Sequence, residues 1–314
     1  MVSVTVSPAG RPLALAKGLP IIVQIPNKTV ESATIGDVKA EVSRKFPKLY
    51  PARQKLSLKD DKRALVDEKT LRDAGVVDGE EVLLKDLGAQ ISWRTVFIIE
   101  YIGPLVIHPL IYYLPKLIYG GSVQHSMVSQ YTYAMVMLHF AKRELETLFV
   151  HRFSNGTMPF FNIFKNSGHY WFFSGICLAY SVYSPAYSSS SPFIRNTFRE
   201  DPTFLMACFA IWVFAEISNF SAHMTLRNLR PAGTRKRSIP YGYGFSLVSY
   251  PNYFFELLGW TVIAVMTGSY AAYVFLLIAG YTQTVWAIKK HRNYKKEFGK
   301  EYPKDRKVIF PFIL

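Results

Sequence analysis

The pattern of apolar and polar positions divides the chain into two parts of different character. Over residues 1–88 the apolar positions are sparse and periodic: Val2, Val4 and Val6 alternate with polar residues, as in a strand with one buried face. From Ile91 onwards the apolar residues gather into long zones with few charges. The first part therefore reads as a small α/β domain, and the second as a set of helices that are apolar on most sides.

The first 88 residues predict four short strands and one helix. Strands are expected at residues 2–6, 19–25, 55–59 and 79–85, a helix at 34–46, and a single helical turn at 70–75. This order resembles the ubiquitin-like β-grasp fold, most specifically in the segment TLRDAGVVDGEEVLLKDLG at residues 70–88. Lys and acidic residues alternate along it as on a solvated face. We expect a cytosolic docking or regulatory domain at residues 1–88.

The remaining chain, residues 89–314, predicts an all-α multi-pass membrane domain. Its apolar zones are residues 96–114, 131–150, 170–187, 203–220 and 254–288. A span needs about 20 residues, so the last zone can hold two spans separated at Thr267-Gly268-Ser269. About six transmembrane helices are expected, with 131–150 the most amphipathic zone.

The charge content supports a membrane domain, and the distribution of basic residues predicts its orientation. Charged residues are 19% of the chain, against about 25% in a typical soluble domain. Residues 91–314 hold 22 basic and 10 acidic residues, and the basic ones concentrate at 227–237 and 289–307. The positive-inside bias places both clusters on the cytosolic side. The start of the chain does not show the pattern of a cleavable signal peptide. Cytosolic N- and C-termini then favour an even number of spans.

Cysteine usage excludes an extracellular disulfide framework. The chain has two cysteines, Cys177 and Cys208, both within apolar runs. Neither has a zinc-ligand spacing, so we expect buried side chains and no metal site.

Three carboxylates fall within the apolar zones: Glu100, Glu216 and Glu256. Intramembrane acids are costly and mark pairs, cavities or chemistry. Glu100 precedes Gly103-Pro104, where a helix break is expected. Its residue type and place fit a carboxyl group lining an active-site cavity, and equally a hydrogen-bonding group between helices.

A second polar cluster occupies residues 218–260. The spacing puts four polar residues on one side of a helix: Asn219, His223, Arg227 and Arg230. Such a row is suited to binding phosphate, because each arginine offers planar paired donors. A basic flank that only anchors the helix in headgroups is the alternative. The following loop IPYGYGF, with Tyr241, is expected to be tight, with its backbone approaching something flat or anionic. Tyr253 by itself fits an interfacial tyrosine belt.

Several segments together resemble the steroid 5α-reductase-type membrane reductases, and most closely their trans-2-enoyl-CoA reductase branch, which also carries a ubiquitin-like first domain. The resemblance rests on EYIGPL (100–105), LHFAKRELETLFVHRFSNGTMP (138–159), NFSAHMTLRNLR (219–230), SYPNYFFELLGW (249–260) and the last 26 residues, KKHRNYKKEFGKEYPKDRKVIFPFIL.

The resemblance implies a reaction and two catalytic residues. The family uses NADPH to reduce an activated carbon–carbon double bond, so a hydride is expected at C3 and a proton at C2 of a trans-2-enoyl thioester. The essential glutamate corresponds to Glu100 and the tyrosine to Tyr253. Phe140 stands where the steroid branch has a tyrosine, which favours the enoyl-CoA branch. Either Glu100 donates to the thioester oxygen and Tyr253 to C2, or Tyr253 serves the oxygen and Glu100 orients it.

The same resemblance implies a cofactor site. Its residues are Arg143, Asn219, His223, Arg227, Arg230, Tyr241, Asn252, Glu256, His291 and Tyr294. The many cations there favour the 2′-phosphate of NADPH.

The expected setting is very-long-chain fatty acid elongation in the endoplasmic reticulum, feeding sphingolipid synthesis. The implied partners are a long-chain trans-2-enoyl-CoA, membrane lipids and the condensing enzyme, ketoacyl-CoA reductase and hydroxyacyl-CoA dehydratase of the cycle. No nucleic-acid motif is present. A sterol or polyprenol enone reductase, or a non-catalytic membrane scaffold, are the alternatives.

Overall fold

The structure is a computed structural model that describes residues 1–153, 156–230 and 238–314. The described chain forms two units. The first contains residues Met1–Ser92 and Gly156–Asn162, and the second contains Trp93–Asn155 and Ile163–Leu314. The predicted basic residues Arg235, Lys236 and Arg237 lie outside the described residues.

A four-stranded sheet organises the first unit. Its strands are β1 (Val2–Pro8), β2 (Ile21–Ile25), β3 (Gln54–Leu58) and β4 (Glu81–Asp86), in the spatial order β2-β1-β4-β3. β1 pairs antiparallel with β2 and parallel with β4, and β3 pairs antiparallel with β4. The alternating apolar positions of β1 are buried, as the period of two predicts. A separate antiparallel pair joins β5 (Gln90–Ser92) to β6 (Thr157–Pro159).

Helix α1 (Ile35–Lys45) begins where its sequence places a cap. The Thr34 hydroxyl accepts from the Asp37 amide at 3.2 Å, and the Asp37 carboxylate accepts from the Thr34 amide at 2.8 Å. This reciprocal pair satisfies donors that the first turn leaves unpaired. Val38 and Val42 then pack into the core of the sheet. The predicted strands and helix of residues 1–88 are confirmed; residues 70–75 form hydrogen-bonded turns.

The second unit is helical. Its helices are α2 (Trp93–Tyr113), α3 (Pro115–Tyr119), α4 (Met127–Leu145), α5 (Asn162–Ser167), α6 (Leu178–Val182), α7 (Pro202–Asn228), α8 (Pro251–Thr267) and α9 (Tyr270–Phe298). Wider π-helical turns at Glu146–Val150 and Gly168–Cys177 extend α4 and join α5 to α6. Its core runs through α2, α4, α7, α8 and α9.

The expected helix break at Gly103-Pro104 is wrong, because α2 continues through Pro104 and Pro109. Pro104 lacks the N–H that would bond four residues back. Trp171 lies against Gly103, where a Cβ would collide with its indole ring, and Trp171 Nε1 donates to the Ile99 carbonyl at 2.8 Å. Trp171 therefore packs against α2 and forms a hydrogen bond to it in the turn before Pro104.

The expected separation of the last apolar zone at residues 267–269 is confirmed. α8 ends on Gly268, which has a φ of 65° in the left-handed region, and α9 starts at Tyr270. Glycine adopts this conformation without steric cost.

Three helices of the described chain are long and apolar enough to cross a membrane. They are Trp93–Tyr113, Pro202–Asn228 and Tyr270–Glu301. The last of these joins α9 to a 3₁₀ turn at Gly299–Glu301.

Candidate functional site

The first turn of α8 lies between α7 and α9 and carries Asn252 and Tyr253 side by side. The Asn252 carbonyl accepts from the Asn219 side chain of α7 at 2.8 Å. The Asn252 amide nitrogen is 3.5 Å from His223 Nε2, one turn further along α7. The spacing of four between Asn219 and His223 therefore puts both on the face of α7 that meets α8.

Arg143 of α4 extends this group through a buried ion pair. Its Nη1 donates to Glu146 Oε2 at 2.8 Å, and its Nη2 donates to the Tyr101 hydroxyl at 2.8 Å. His223 Nδ1 lies 3.0 Å from the other oxygen of Glu146. Arg143, Glu146 and His223 are all buried. Because buried charges require partners, Glu146 pairs with Arg143, and its other oxygen fixes the position of His223.

A second carboxylate, Glu216 of α7, repeats this arrangement nearby. Lys142 Nζ is 2.7 Å from Glu216 Oε2, and His139 Nδ1 is 2.8 Å from Oε1. Lys142 Nζ also donates to Asn219 Oδ1 at 2.7 Å. Glu216 thus joins α4 to α7 beside the Asn219 contact, which accounts for one of the three intramembrane acids.

The structure brings together Arg143, Asn219, His223 and Asn252, four of the predicted cofactor residues. Sequence reasoning did not assign Lys142, Glu146 or Tyr101 to this site. A signal was present in the segment KRELE, where Lys142 and Arg143 precede Glu146 by four and three residues, the spacing of helical ion pairs. That spacing could not show that the pairs are buried.

Glu146, His151 and His223 could offer metal ligands, since their ligand atoms lie within 4.8 Å of one another. Arg143 Nη1 lies 2.8 Å from Glu146 and 3.4 Å from His223 Nδ1. A cation there would meet the guanidinium of Arg143, which disfavours a metal ion at this position.

Glu100 of α2 is buried beside this network. Arg143 is close enough to act on it electrostatically, and the Asn166 side chain lies against it. Its Oε1 has no hydrogen-bond partner among the described residues. Phe140 is fully buried against Tyr101, Tyr170 and Trp260.

Tyr253 belongs to a second, aromatic cluster against α9. The Lys290 ammonium donates to the Tyr253 hydroxyl at 2.8 Å, and Tyr253 stacks on Tyr250 with centroids 5.6 Å apart. Tyr294 also stacks with Tyr250, with ring centroids 6.1 Å apart. Buried His291 has its Nδ1 2.6 Å from the Ser249 hydroxyl. Tyr253, His291 and Tyr294 are therefore brought to one face of α9.

The other predicted residues are more dispersed. α7 ends at Asn228, so Arg230 follows the helix in a turn and the expected row of four on one helix is wrong. Arg230 Nη1 donates to the Arg152 carbonyl at 2.9 Å, and Arg227 is half-buried. Tyr241 is exposed with the Arg306 guanidinium 5.3 Å over its ring. Glu256 accepts from Gln283 of α9 at 3.3 Å.

Glu100 and Tyr253 have different neighbours. Within the described chain no hydrogen bond joins them: Glu100 lies with Arg143 and Asn166, and Tyr253 with Lys290. Their action on one substrate stays a prediction.

The group as a whole leaves several buried polar atoms without a partner in the described chain. Buried polar atoms without a partner among the described residues include Arg143 Nε and Asn252 Oδ1, and Gln283 Oε1 beside Glu256. Buried polar groups are normally satisfied, so a donor and two acceptors are left for a bound molecule.

Comparison with known proteins assigns the class. Residues 156–314 match the family of 3-oxo-5-alpha-steroid 4-dehydrogenases, and residues 21–86 match the ubiquitin-like domain of TECR proteins. Fold and matches together define a membrane-associated oxidoreductase of the steroid 5α-reductase type with a ubiquitin-like first domain.

Individual relatives narrow that class. The very-long-chain enoyl-CoA reductase of Dictyostelium discoideum is 39% identical over 293 residues, covering 91% of this chain and 94% of its own length. The probable very-long-chain enoyl-CoA reductase of Caenorhabditis elegans is 41% identical over 299 residues, covering 90% and 92%. A human trans-2,3-enoyl-CoA reductase-like protein is 31% identical over 298 residues, covering 92% and 79%.

The chain belongs to the very-long-chain enoyl-CoA reductase family. The resemblance read from its segments and the ubiquitin-like fold of its first domain are confirmed. Membership implies a nicotinamide cofactor and association with a membrane.

Proposed function

We propose that this protein reduces trans-2-enoyl-CoA to saturated acyl-CoA with NADPH, as the last step of very-long-chain fatty acid elongation. The observation that carries the proposal is the buried network at the start of α8. This network brings Arg143, Asn219, His223 and Asn252 together next to Tyr253. The chain also matches, over nearly its whole length, relatives that are named very-long-chain enoyl-CoA reductases.

The cofactor would be held by this network and by the first part of α8. Arg143, His223 and Asn252 offer donors from three helical segments, and a guanidinium binds phosphate oxygens through paired hydrogen bonds. Arg227 and Arg230, near the end of α7, are the cations we assign to the 2′-phosphate that distinguishes NADPH from NADH. Glu256, Gln283, His291 and Tyr294 supply further polar and aromatic contacts from α8 and α9.

The reduction then needs two functions from the protein. The bound dinucleotide supplies a hydride to C3 of the enoyl thioester. Negative charge develops on the thioester oxygen, and a donor there lowers the barrier by about 3 kcal/mol; Glu100, protonated in its buried position, is the donor we assign. Tyr253 delivers a proton to C2 as the general acid.

The membrane domain would contain six spans, with both ends of the chain on the cytosolic side of the endoplasmic reticulum. Besides the three long apolar helices, residues 127–150 and 162–182 are continuous helical stretches, and α8 has 17 residues. At 1.5 Å per residue α8 reaches about 26 Å, close to the hydrocarbon thickness of about 30 Å.

The neighbouring enzymes of elongation would be its partners. We propose that the condensing enzyme, the ketoacyl-CoA reductase and the hydroxyacyl-CoA dehydratase act in the same membrane, since the dehydratase reaction forms the double bond that this protein reduces. Its saturated product would serve sphingolipid synthesis.

The test uses purified full-length protein, NADPH and a long trans-2-enoyl-CoA, with product analysis by mass spectrometry. We expect one NADPH consumed per saturated acyl-CoA formed, and losses of about 10²-fold or more in kcat for Glu100→Gln and Tyr253→Phe. A sterol enone reduced in preference to the thioester would replace this substrate assignment. A fully active Tyr253→Phe would remove Tyr253 as the proton donor, and no NADPH-dependent reduction of any enone by the unaltered protein would favour the scaffold alternative.

A further inference from the structure

Lys290 is the charged residue that contacts the Tyr253 phenol. Its ammonium group donates to Tyr253 Oη at 2.8 Å, and Nζ lies 5.2 Å from the centre of the Tyr253 ring. The same nitrogen is 5.5 Å from the ring of Tyr250, which stacks on Tyr253. Two aromatic faces and one phenol oxygen therefore define the position of this ammonium group.

The direction of this hydrogen bond orients the phenol. An ammonium group has three donors and no acceptor, so the Tyr253 oxygen accepts and its own O–H proton points elsewhere. Among the residues that the structure describes, the Tyr253 hydroxyl has its hydrogen bond with Lys290. The phenol proton is left for a bound molecule.

We propose that Lys290 is the positioning residue that prepares Tyr253 for proton transfer and neutralises it afterwards. The inference rests on the proposed function. When the hydride has reached C3, the Tyr253 O–H bond breaks, its proton forms the new C–H bond at C2, and the bonding pair stays on the phenol oxygen. The phenolate then faces a positive charge at 2.8 Å, and an ammonium proton passes to it. Solvent reprotonates the exposed amine, which restores the starting state.

The chain contains a matched control for this role. Lys289 is the preceding residue of α9, is also exposed, and has the same side chain and charge. A general need for positive charge at the membrane surface would involve both lysines equally. A specific role in proton delivery requires Lys290 alone.

The experiment compares Lys290→Met, Lys290→Arg and Lys289→Met in the full-length enzyme with NADPH and a long trans-2-enoyl-CoA. We expect Lys290→Met to lower kcat about tenfold, as for loss of one charge-assisted hydrogen bond, with unchanged KM for both substrates. Its solvent deuterium isotope effect on kcat should rise because proton delivery becomes slower than hydride transfer. Lys290→Arg should recover only part of the rate, because a guanidinium keeps the charge and can donate a hydrogen bond but does not pass on its proton. Lys289→Met should match the unaltered enzyme.

A double variant separates this inference from the proposed function. In the Tyr253→Phe background, Lys290→Met should cause no further loss of the residual rate, because Lys290 acts through the phenol oxygen. An equal loss in both backgrounds, or full activity of Lys290→Met, would overturn the role of Lys290 while Tyr253 remains the proton donor. Full activity of Tyr253→Phe would instead remove the proposed proton donor itself.

Discussion

At the scale of single residues, buried carboxylates set the positions of the basic side chains around the start of α8. Glu146 pairs with Arg143 and His223, and Glu216 pairs with Lys142 and His139. Such pairs gain little net stability, since desolvation offsets their attraction. Their effect is geometric, because an arginine held by a carboxylate presents its remaining donors in a fixed direction.

Glu146→Gln should weaken NADPH binding, and it should also destabilise the fold because it leaves Arg143 buried without its carboxylate partner. The amide keeps the shape of the side chain but removes the charge that holds Arg143 and His223. Hydrogen bonds to charged groups contribute about 1.5–3 kcal/mol, so we expect Kd for NADPH to rise at least tenfold in calorimetric titration. The control is Glu144→Gln, whose Oε1 has no hydrogen-bond partner among the described residues. Equal affinities for the two variants would contradict the role of Glu146.

At the scale of elements, the turn between α8 and α9 depends on Gly268. Its φ is 65°, and a Cβ there would collide with the Arg199 guanidinium. Arg199 Nε also donates to the Thr267 carbonyl at 3.1 Å, so it has little freedom to move.

Gly268→Ala should lower the thermal stability of the purified protein. Left-handed backbone costs a residue with a Cβ about 1–2 kcal/mol, and the collision adds to this. Gly280→Ala is the matched control, because a Cβ there makes ordinary contact with Leu257 at 3.7 Å within a helix. Unfolding monitored by circular dichroism in detergent should separate the two; a Gly268→Ala protein as stable as Gly280→Ala would refute the strain.

In the first unit, the ladder between β3 and β4 is reinforced by a paired Arg53 and Asp86. Arg53 Nε and Nη2 donate to the two Asp86 oxygens at 2.9 and 2.5 Å. The Arg53 hydrogen bonds hold the pKa of Asp86 below its usual range. A lowered folded-state pKa stabilises the fold fully above the unfolded value of about 4, and this contribution is lost as the pH falls through the folded value.

Asp86→Asn should remove that pH dependence. Hydrogen exchange of the β3 and β4 peptides, corrected for intrinsic rates, should show protection falling below about pH 4 in the unaltered protein and a flatter profile in the variant. At neutral pH the variant should lose about 0.5–1 kcal/mol of local stability. Asp60→Asn, an exposed change of the same charge after β3, is the control. Identical profiles for all three proteins would show that the pair contributes nothing measurable.

At the scale of the whole molecule, the proposed six spans require both ends of the chain on one side of the membrane. The basic residues at 289–307 favour the cytosolic side. The full-length protein, tagged at each end in intact microsomes, should lose both tags to added protease, while a luminal marker survives until detergent is added. Protection of one tag alone would require an odd number of spans.

The local patterns of the sequence determined much of this molecule. The alternating valines predict which face of β1 is buried. Thr34 marks the start of α1, and Gly268 marks the separation of α8 from α9. Each follows from backbone geometry within a few residues. The segments that carry the resemblance likewise indicated the family, because they place particular side chains at fixed spacings.

The tertiary structure alone decided which groups meet. His139 and Glu216 are 77 residues apart, and Tyr253 and Lys290 are 37 apart; their contacts depend on how α4, α7, α8 and α9 pack. Trp171 likewise binds the Ile99 carbonyl of α2 from a position 72 residues further along the chain. The local sequence pattern predicts which face of its own helix a residue occupies. The residue that it contacts on another helix is determined by how the two helices pack.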